Sequence, residues 1–555
     1  MEKLKPEIIT SLKNYTREQC QKDIISGIIV AIIALPLSIA LGMASGVTPS
    51  MGIYTAIVAG FVVAVLGGSK VQIAGPTAAF ATIVAGIVAN NGVEGLMLAT
   101  VMAGILLIIM GFLRFGALLK FIPYTITTGF TAGIAVTLFI GQLKDFTGIQ
   151  YLNGAKPIET SEKVLALLGN IGTLNLWAVL IGFLSLAIII VWPKISKTIP
   201  GSLIAVIVAS LVVKFTGLQV STIGSMFEIS NALPHFTFSL DALTIKNIHM
   251  LFPDALTIAL LAGIESLLSA VVADSMINSK HRSNMELIGQ GVANIASACF
   301  GGIPATGAIA RTAANIKNGG RSPISGIVHS IVLLLILVIF IPYAALIPMP
   351  TIGAILFQVA YNMCGWKNFL HLCTTAPKSD ITVLVVTFAL TVDFDLVIAI
   401  EIGTLLAALL FMKRMSDVTT IESWKYIDDD EDPESISLRK VPKDTLVYEI
   451  NGPLFFAAAD TILEVTVHEK YNFLILRMRS VNAIDATAMH NFETLYAKCI
   501  ENNIQLIFSH VNEQPMQIME KARFVDLVGR EYFCAHIDDA LHLAENIDTD
   551  KAKNE

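Results

Sequence analysis

Two apolar stretches far apart in the chain are broken in the same way: Gly67-Gly68-Ser69-Lys70-Val71-Gln72-Ile73-Ala74-Gly75-Pro76-Thr77-Ala78-Ala79-Phe80 and Phe300-Gly301-Gly302-Ile303-Pro304-Ala305-Thr306-Gly307-Ala308-Ile309-Ala310-Arg311. In hydrocarbon every backbone N–H and C=O needs an internal partner, so a helix is interrupted only where protein buries it or a cavity hydrates it. Paired Gly/Pro breaks in two halves of a membrane chain point to a substrate site made from broken helices.

The breaks carry this meaning only in a membrane, and composition supplies one. Of 555 residues, 54% are hydrophobic and 15% charged, and the mean hydropathy is +0.70, far from a soluble average. Apolar runs long enough to span begin near Ile24 and end near Met412. The first twenty residues are polar and rich in Lys and Glu, unlike a cleavable signal, so the first segment is expected to stay in the mature chain. Cys20, Cys299, Cys364, Cys373, Cys499 and Cys534 lack metal-ligand spacing, and no disulfide framework, zinc site or cofactor is expected. The sequence holds no P-loop, catalytic triad or metalloprotease pattern, so ATP-driven pumping and enzymatic hydrolysis find no support. A nucleic-acid partner is not expected.

Lys and Arg in short loops set the orientation. Lys70, Arg114 with Lys120, Lys194 with Lys197, Lys280 with Arg282, Lys317 with Arg321, Lys367 with Lys378, and Lys413 with Arg414 recur at every second loop, which makes those loops cytoplasmic. The turns at 45–50, 90–95, 301–304, 342–351 and 393–395 carry neither and face outward. Spans fitted between these loops number about fourteen, with both termini inside. They form two halves of about seven, roughly Ile24 to Thr216 and Leu251 to Lys413, with a broken helix third in each. An odd number per half makes the repeats inverted. The polar stretch 217–250, with His235, Asp241, Lys246 and His249, reads as an outer crossover.

The expected boundaries are a cytoplasmic lead at 1–22, lying on the membrane surface, and a transmembrane transport domain at 23–414. An acidic linker follows at 415–440, containing Asp428-Asp429-Asp430-Glu431-Asp432-Pro433-Glu434. A small α/β domain at 441–547 and a tail at 548–555 complete the chain. In that domain Thr445–Ile450, Phe473–Met478 and Ile504–Phe508 read as buried strands, and Ala457–His468, Asp485–Glu501 and Glu513–Ala522 as helices.

At the breaks, Val71–Ala74 is expected to be extended and a helix to start near Pro76, with Thr77, Ala78 and Ala79 in its first turn. Pro304 places Thr306, Gly307 and Ala308 near the start of the tenth segment. If the repeats bring these two starts together, each contributes about half a positive charge and free N–H donors, a setting that attracts an anion. Arg311 lies about one turn farther on; a guanidinium in an apolar span marks a substrate path, or else it snorkels toward Lys317 and Arg321 at the interface. Glu265 is a second intramembrane ion, with Ser269 one turn on. Three uses of it compete: a proton acceptor, a sodium ligand with Ser269 and backbone carbonyls, and a permanent salt bridge to Arg311. Asp274, Lys280, His281, Arg282 and Glu286 read as interfacial anchors or gate salt bridges. Asp145 closes the fifth segment, Pro36 marks a kink or break in the first, and Leu37, Ser38 and Leu41 after it are candidates to line the cavity.

Leu35-Pro36-Leu37-Ser38-Ile39-Ala40, Gly75-Pro76-Thr77-Ala78, Gly129-Phe130-Thr131-Ala132-Gly133, Gln142-Leu143-Lys144-Asp145-Phe146, Gly263-Ile264-Glu265-Ser266-Leu267 and Glu286-Leu287-Ile288-Gly289-Gln290-Gly291 resemble the SulP anion transporters over nearly the whole chain. The tail resembles their STAS domain, with Ile484-Asp485-Ala486-Thr487-Ala488-Met489 at its signature loop. The resemblance implies a polytopic α-helical fold of 14 segments in a 7+7 inverted repeat, with a core domain moving against a gate domain. It places the anion between the third and tenth helices, near Thr77, Ala78, Gly307, Ala308 and Arg311, with Leu37 and Leu41 from the first. Glu265 and Ser269 match positions that hold sodium in a bicarbonate-transporting branch, to which Gly307 would add. Ile309 stands where that branch has a further hydroxyl, which favours proton symport with Glu265 as acceptor. Leu37-Ser38 and the run Ile303–Arg311 look most like members that carry dicarboxylates or bicarbonate. Ala486 replaces the phosphorylated Ser of signalling STAS domains, so that switch is expected to be absent.

The expected function is secondary transport of a small anion (dicarboxylate, bicarbonate or sulfate) across the cytoplasmic membrane by alternating access with a proton. The alternatives are sodium-coupled bicarbonate symport, an uncoupled anion channel, and a membrane-anchored sensor with STAS output. The implied partners are the inorganic or organic anion, a proton or sodium, the lipid bilayer, a second copy in a homodimer, and a cytoplasmic protein on the STAS domain.

Overall fold

The computed structural model describes residues 4–117, 123–151, 157–196, 199–227, 233–238, 244–394, 396–423, 441–442, 444–460, 462, 465 and 471–554. Lys120, Lys197, Asp241, Asp395, the acidic run 428–434 and most of the helix expected beyond Asp460 lie outside these residues. The chain divides into two compact units, Met1–Thr404 and Leu405–Glu555.

The first half of the membrane unit contains α1 Glu7–Ser11, α2 Arg17–Ala44, α3 Pro49–Leu66, β1 Ala74–Gly75, α4 Ala78–Phe112, α5 Tyr124–Thr147, α6 Thr160–Gly169, α7 Leu176–Val191 and α8 Gly201–Thr216. After α9 Ile223–Met226 come α10 Ile245–Ile277, α11 Ser283–Cys299, β2 Thr306–Gly307, α12 Ile309–Lys317, α13 Ile324–Ala344, α14 Met349–Cys364, α15 Trp366–Thr375, α16 Lys378–Asp393 and α17 Leu396–Val418. Local chemistry sets several of these limits. Thr16 caps α2 through its hydroxyl oxygen, which accepts the Gln19 N–H at 3.2 Å, and Pro49 opens α3, where its missing N–H is no loss. Gly148, Gly217 and Gly365 close α5, α8 and α14 in the left-handed conformation.

Helix α4 holds two spans joined at Gly92, whose φ of 68° and ψ of −178° turn the chain without a loop. With α4 counted twice, the spans form a 7+7 inverted repeat, α2–α5, α7 and α8 against α10–α14, α16 and α17. One bundle, the core, packs α2, α3 and α4 with α10, α11, α12 and α13; the other, the gate, packs α5 against α14 and α16, and α7 against α8 and α14. In the core, α4 and α11 cross at Gly104 and Gly291, where a Cβ on either would press into the carbonyl oxygen of the other. In the gate, Phe146 and Phe139 stack on Phe357 with ring centroids 4.7 Å and 4.3 Å away.

Several expectations need correction. The first span starts at Arg17 rather than near Ile24, and α2 runs through Pro36 without ending there. The lead is held by protein: the Glu7 N–H donates to the Gly67 carbonyl at 2.9 Å, and Glu7 is buried. Helix α10 starts six residues before Leu251. Helices start later at the breaks than expected, at Ala78, with Thr77 as N-cap, and at Ile309, with Thr306 and Gly307 in a strand. Pro76 favours extended backbone at Gly75 before it, and strand pairing uses that extended chain. Glu286 is wholly buried rather than interfacial.

In the second unit, β3 Thr420–Ser423, β4 Thr445–Asn451, β5 Phe473–Ser480, β6 Gln505–Ser509 and β7 Phe533–Cys534 form one sheet in that order; β3 is antiparallel to β4 and the others are parallel. The helices are α18 Phe456–Ala459, α19 Ala486–Glu501, α20 Glu513–Lys521, α21 Phe524–Val528 and α22 Ile537–Asn554. The start of the expected linker is thus helix and strand, and the expected tail continues α22. Strand β5 is buried from Phe473 to Met478 because apolar clusters cover both faces of the sheet, one including α19–α21 and the other α22.

Candidate functional site

The two breaks meet as strands. β1 and β2 pair antiparallel, Ala74 opposite Gly307 and Gly75 opposite Thr306, and the Ala308 N–H donates to the Ile73 carbonyl at 2.9 Å. Side chains satisfy the rest of this unwound backbone. The Ala305 carbonyl accepts from the amides of Gln290 (2.7 Å) and Asn294 (3.0 Å), and the Ala305 N–H donates to Asn294 at 2.9 Å. Ser297 donates to the Ile303 carbonyl at 2.8 Å, Asn315 to that of Val71 at 2.9 Å, and Thr312 accepts the Ile73 N–H at 3.1 Å.

A buried polar relay links the breaks. Glu286 accepts the N–H groups of Gly68 (2.7 Å) and Ser69 (3.0 Å) and the Gln72 amide (2.8 Å). Gln72 also donates to Ser266 at 2.8 Å, Ser266 donates to Gln290 at 3.0 Å, and Gln290 reaches Ala305. Gly307 is required by close approach, because a Cβ there would overlap the Gln72 amide. Sequence reasoning missed Gln72, Gln290, Asn294, Ser297 and Asn315. Their signal was available: Gln290, Asn294 and Ser297 fall at helical spacing on one face of an otherwise apolar segment.

The N-termini of α4 and α12 both open at this ladder. Among the described residues the N–H groups of Ala78, Ala79, Ile309, Ala310 and Arg311 find no acceptor, the orphan donors of a helix start. Arg311 is 1% exposed, which rules out snorkelling. Its Nη2 donates to the Pro76 carbonyl at 2.8 Å, while Nε and Nη1 have no partner. Glu265 accepts the Thr77 hydroxyl at 2.9 Å, and no ion pair joins it to Arg311, so the salt-bridge alternative is not realised.

The other candidates fall into place around this pair. Leu41 and Ala78 belong to one buried apolar cluster, and Leu37 packs against it. Ala308 is buried at the α12 N-cap. Thr306 turns away, donating to the Ala262 carbonyl at 3.0 Å. Ser269 donates to Thr312 at 3.4 Å, and Gly307 lies against Gln72 and Ser266. Asp274 accepts the His281 N–H and lies against its Nδ1, each at 2.7 Å. His329 on α13 is wholly buried, with neither ring nitrogen partnered; it lies beside the position a Cβ on Gly60 would take, as does the Ala74 carbonyl. Sequence reasoning had not singled it out.

Opposed helix starts, a buried guanidinium with two nitrogens unpartnered and a carboxylate at mid-span make this a multi-pass membrane transporter built to receive an anion. Comparison with known proteins agrees: the profile of the sulfate permease family matches residues 20–387 and that of the STAS domain residues 436–544, and the chain belongs to the sulfate permease family. It is 41% identical over 532 residues, 95% of this chain and 98% of the relative, to "Putative sulfate transporter YvdB" of Bacillus subtilis (strain 168). It is 30% identical over 551 residues, 95% of this chain and 96% of the relative, to "Bicarbonate transporter BicA" of Picosynechococcus sp.. The fold matches the murine Solute Carrier 26 family member A9 anion transporter in the inward-facing state, with TM-score 0.87 at 16% identity, covering 98% of this chain and 94% of that one. The transmembrane domain of a cyanobacterial bicarbonate transporter BicA matches with TM-score 0.62 at 28% identity, over 71% of this chain and 98% of that one.

Proposed function

We propose that this protein is a secondary transporter that carries a small anion across the cytoplasmic membrane by alternating access, with a proton taken up at Glu265. The observation that carries the reading is Arg311, buried beside two helix N-termini with two guanidinium nitrogens unpartnered. An anion at the ladder would take those donors together with the free N–H groups of Ala78, Ala79, Ile309 and Ala310. Leu37, Leu41, Thr77, Ala78 and Ala308 would wall the site, while Thr306 and Gly307 shape it through the backbone. Glu265, which accepts the Thr77 hydroxyl, would be neutral when protonated and so offset the charge of the cargo on the loaded step.

Ile309, standing where a sodium-using branch of the family has a further hydroxyl, supports a proton over sodium as the coupling ion. Bicarbonate is a second reading of the cargo, favoured by the 30% identity to a protein named as a bicarbonate transporter; sulfate and dicarboxylates such as succinate complete the set. In this reading both termini and the STAS domain are cytoplasmic, the transport domain covers 23–414 and the STAS domain 441–547. The protein works as a homodimer, and the STAS domain, without a phosphorylatable Ser at Ala486, supports assembly or binds a cytoplasmic protein.

Purified protein in liposomes, given labelled sulfate, bicarbonate or succinate under an imposed pH or sodium gradient, tests the proposal. Saturable accumulation that follows the pH gradient is expected, with Glu265→Gln retaining exchange but losing gradient-driven accumulation. Uncoupled currents, or accumulation by Glu265→Gln equal to the parent, would overturn it.

A further inference from the structure

The N-terminal strap covers a second, separate basic cleft. Arg282 fastens it, with Nη1 donating to the Lys5 carbonyl at 2.7 Å and lying 3.2 Å from the Glu7 carboxylate, and Nη2 donating to Thr10 at 3.0 Å. Farther along, Tyr15 donates to Asp23 at 2.8 Å and Gln19 to the Gly319 carbonyl at 3.1 Å. Asp23 in turn accepts the Arg321 N–H at 2.8 Å and the Ser322 hydroxyl at 2.5 Å. The strap is thereby tied to three loops, those between α3 and β1, α10 and α11, and α12 and α13, and a cavity of about 510 Å³ lies among them.

Each of the three loops sends cations into this cavity: Lys70, then Lys280 and Arg282, then Arg321. Glu7 is the one carboxylate on its wall, and Arg282 already engages it. Among the described residues Lys70, Lys280 and Arg321 have no carboxylate partner; Arg321 places Nη1 on the carbonyls of Ile316 and Gly320. The remaining wall is neutral, and its hydroxyls are engaged, those of Thr10 and Ser11 donating to Glu7 and those of Tyr15 and Ser322 to Asp23. Interfacial anchoring explains single Lys or Arg side chains that spread toward headgroups. It does not explain why cations from separate loops converge under a strap on a cavity within the size range of ligand sites. Three cations without a carboxylate partner, brought from separate loops, match a tetrahedral anion with several acceptor oxygens and more than one negative charge.

We propose that this cleft binds a phosphate group bearing two or more negative charges, presented by a lipid headgroup or by a soluble phosphate compound. The site lies among loops of the core, apart from the β1–β2 ladder, and its occupant would hold the strap and the three loops together from the cytoplasmic side.

The test uses the full chain in nanodiscs of neutral phosphatidylcholine. Inorganic pyrophosphate is titrated by calorimetry, and in parallel discs a minor fraction of phosphatidic acid is supplied and retained lipid is counted by native mass spectrometry. Binding at one per chain is expected, weakened about ten-fold or more in Lys70→Gln/Lys280→Gln, since each substitution removes a charge-assisted contact. Arg321→Gln should weaken it likewise, binding should fall with added salt, and Lys214→Gln, remote from the cleft, should leave it unchanged. Pyrophosphate alone binding identifies a soluble source, phosphatidic acid alone a lipid, and both the shared headgroup chemistry. Binding of neither, or binding that is undiminished in the double variant or equally diminished in Lys214→Gln, overturns the proposal.

Discussion

Arg311 has two guanidinium nitrogens without partners in a fully buried setting, and unsatisfied buried donors cost about 1–3 kcal/mol each, more when charged. A residue kept at that cost trades stability for function. Arg311→Leu is therefore expected to leave the thermal midpoint of anion-free protein unchanged or higher while abolishing anion binding; a lower midpoint with binding intact would show that the guanidinium serves the fold. In the second unit Arg477 and Glu449 form a buried pair at 3.2 Å, and Glu449→Gln, which strands a charge, should destabilise that unit by about 3–5 kcal/mol in denaturant titration of the full chain. Cys499 is buried, and desolvation pushes its thiol up to about 12. Because the folded form holds the proton more tightly, this contribution to stability is complete below about pH 9 and is lost as pH rises toward 12. At pH 8 the thiol is neutral, so native protein should leave Cys499 unlabelled by a maleimide until denaturant is added, as peptide mapping will read.

At the scale of elements, the broken helices were legible because Gly and Pro interrupt apolar runs, and the buried strands because β-branched and aromatic residues cluster between turns. What the sequence hid was partnership. Nothing local in Ala74-Gly75 or Thr306-Gly307 announces that they pair, since a ladder so short depends on two segments brought together by the repeat. Glu286 was read as interfacial because charges flank it, yet the tertiary fold closes it under Gly68 and Ser69. Strand β3 lacked a signal because four residues beside a charge-rich stretch leave little pattern to read. The small-residue crossing of α4 and α11 gives a test of packing: Gly291→Leu presses into the Gly104 carbonyl and should destabilise the core by about 1–3 kcal/mol, seen as a lower thermal midpoint. In the STAS unit Asp485 accepts the N–H groups of Ala488 at 3.0 Å and Phe456 at 2.7 Å. Asp485→Ala should cost about 0.5–2 kcal/mol, read as faster hydrogen exchange at the start of α19.

In the membrane unit, β1 and β2 pair across the two repeats, and each strand leads into a helix whose start would face the proposed anion. The ladder works as a rivet: half of the site cannot slide past the other without breaking it. In the proposed alternating-access cycle, what changes would be the distance from this riveted piece to the gate helices. Spin labels at Ala89, exposed on α4, and Asn318 beside α12 should keep one separation through the proposed transport cycle, while either of them paired with a label at Gln358 on α14 should show two. The cargo would be ferried on a carriage of fixed shape, with the bilayer-facing gate as its rail.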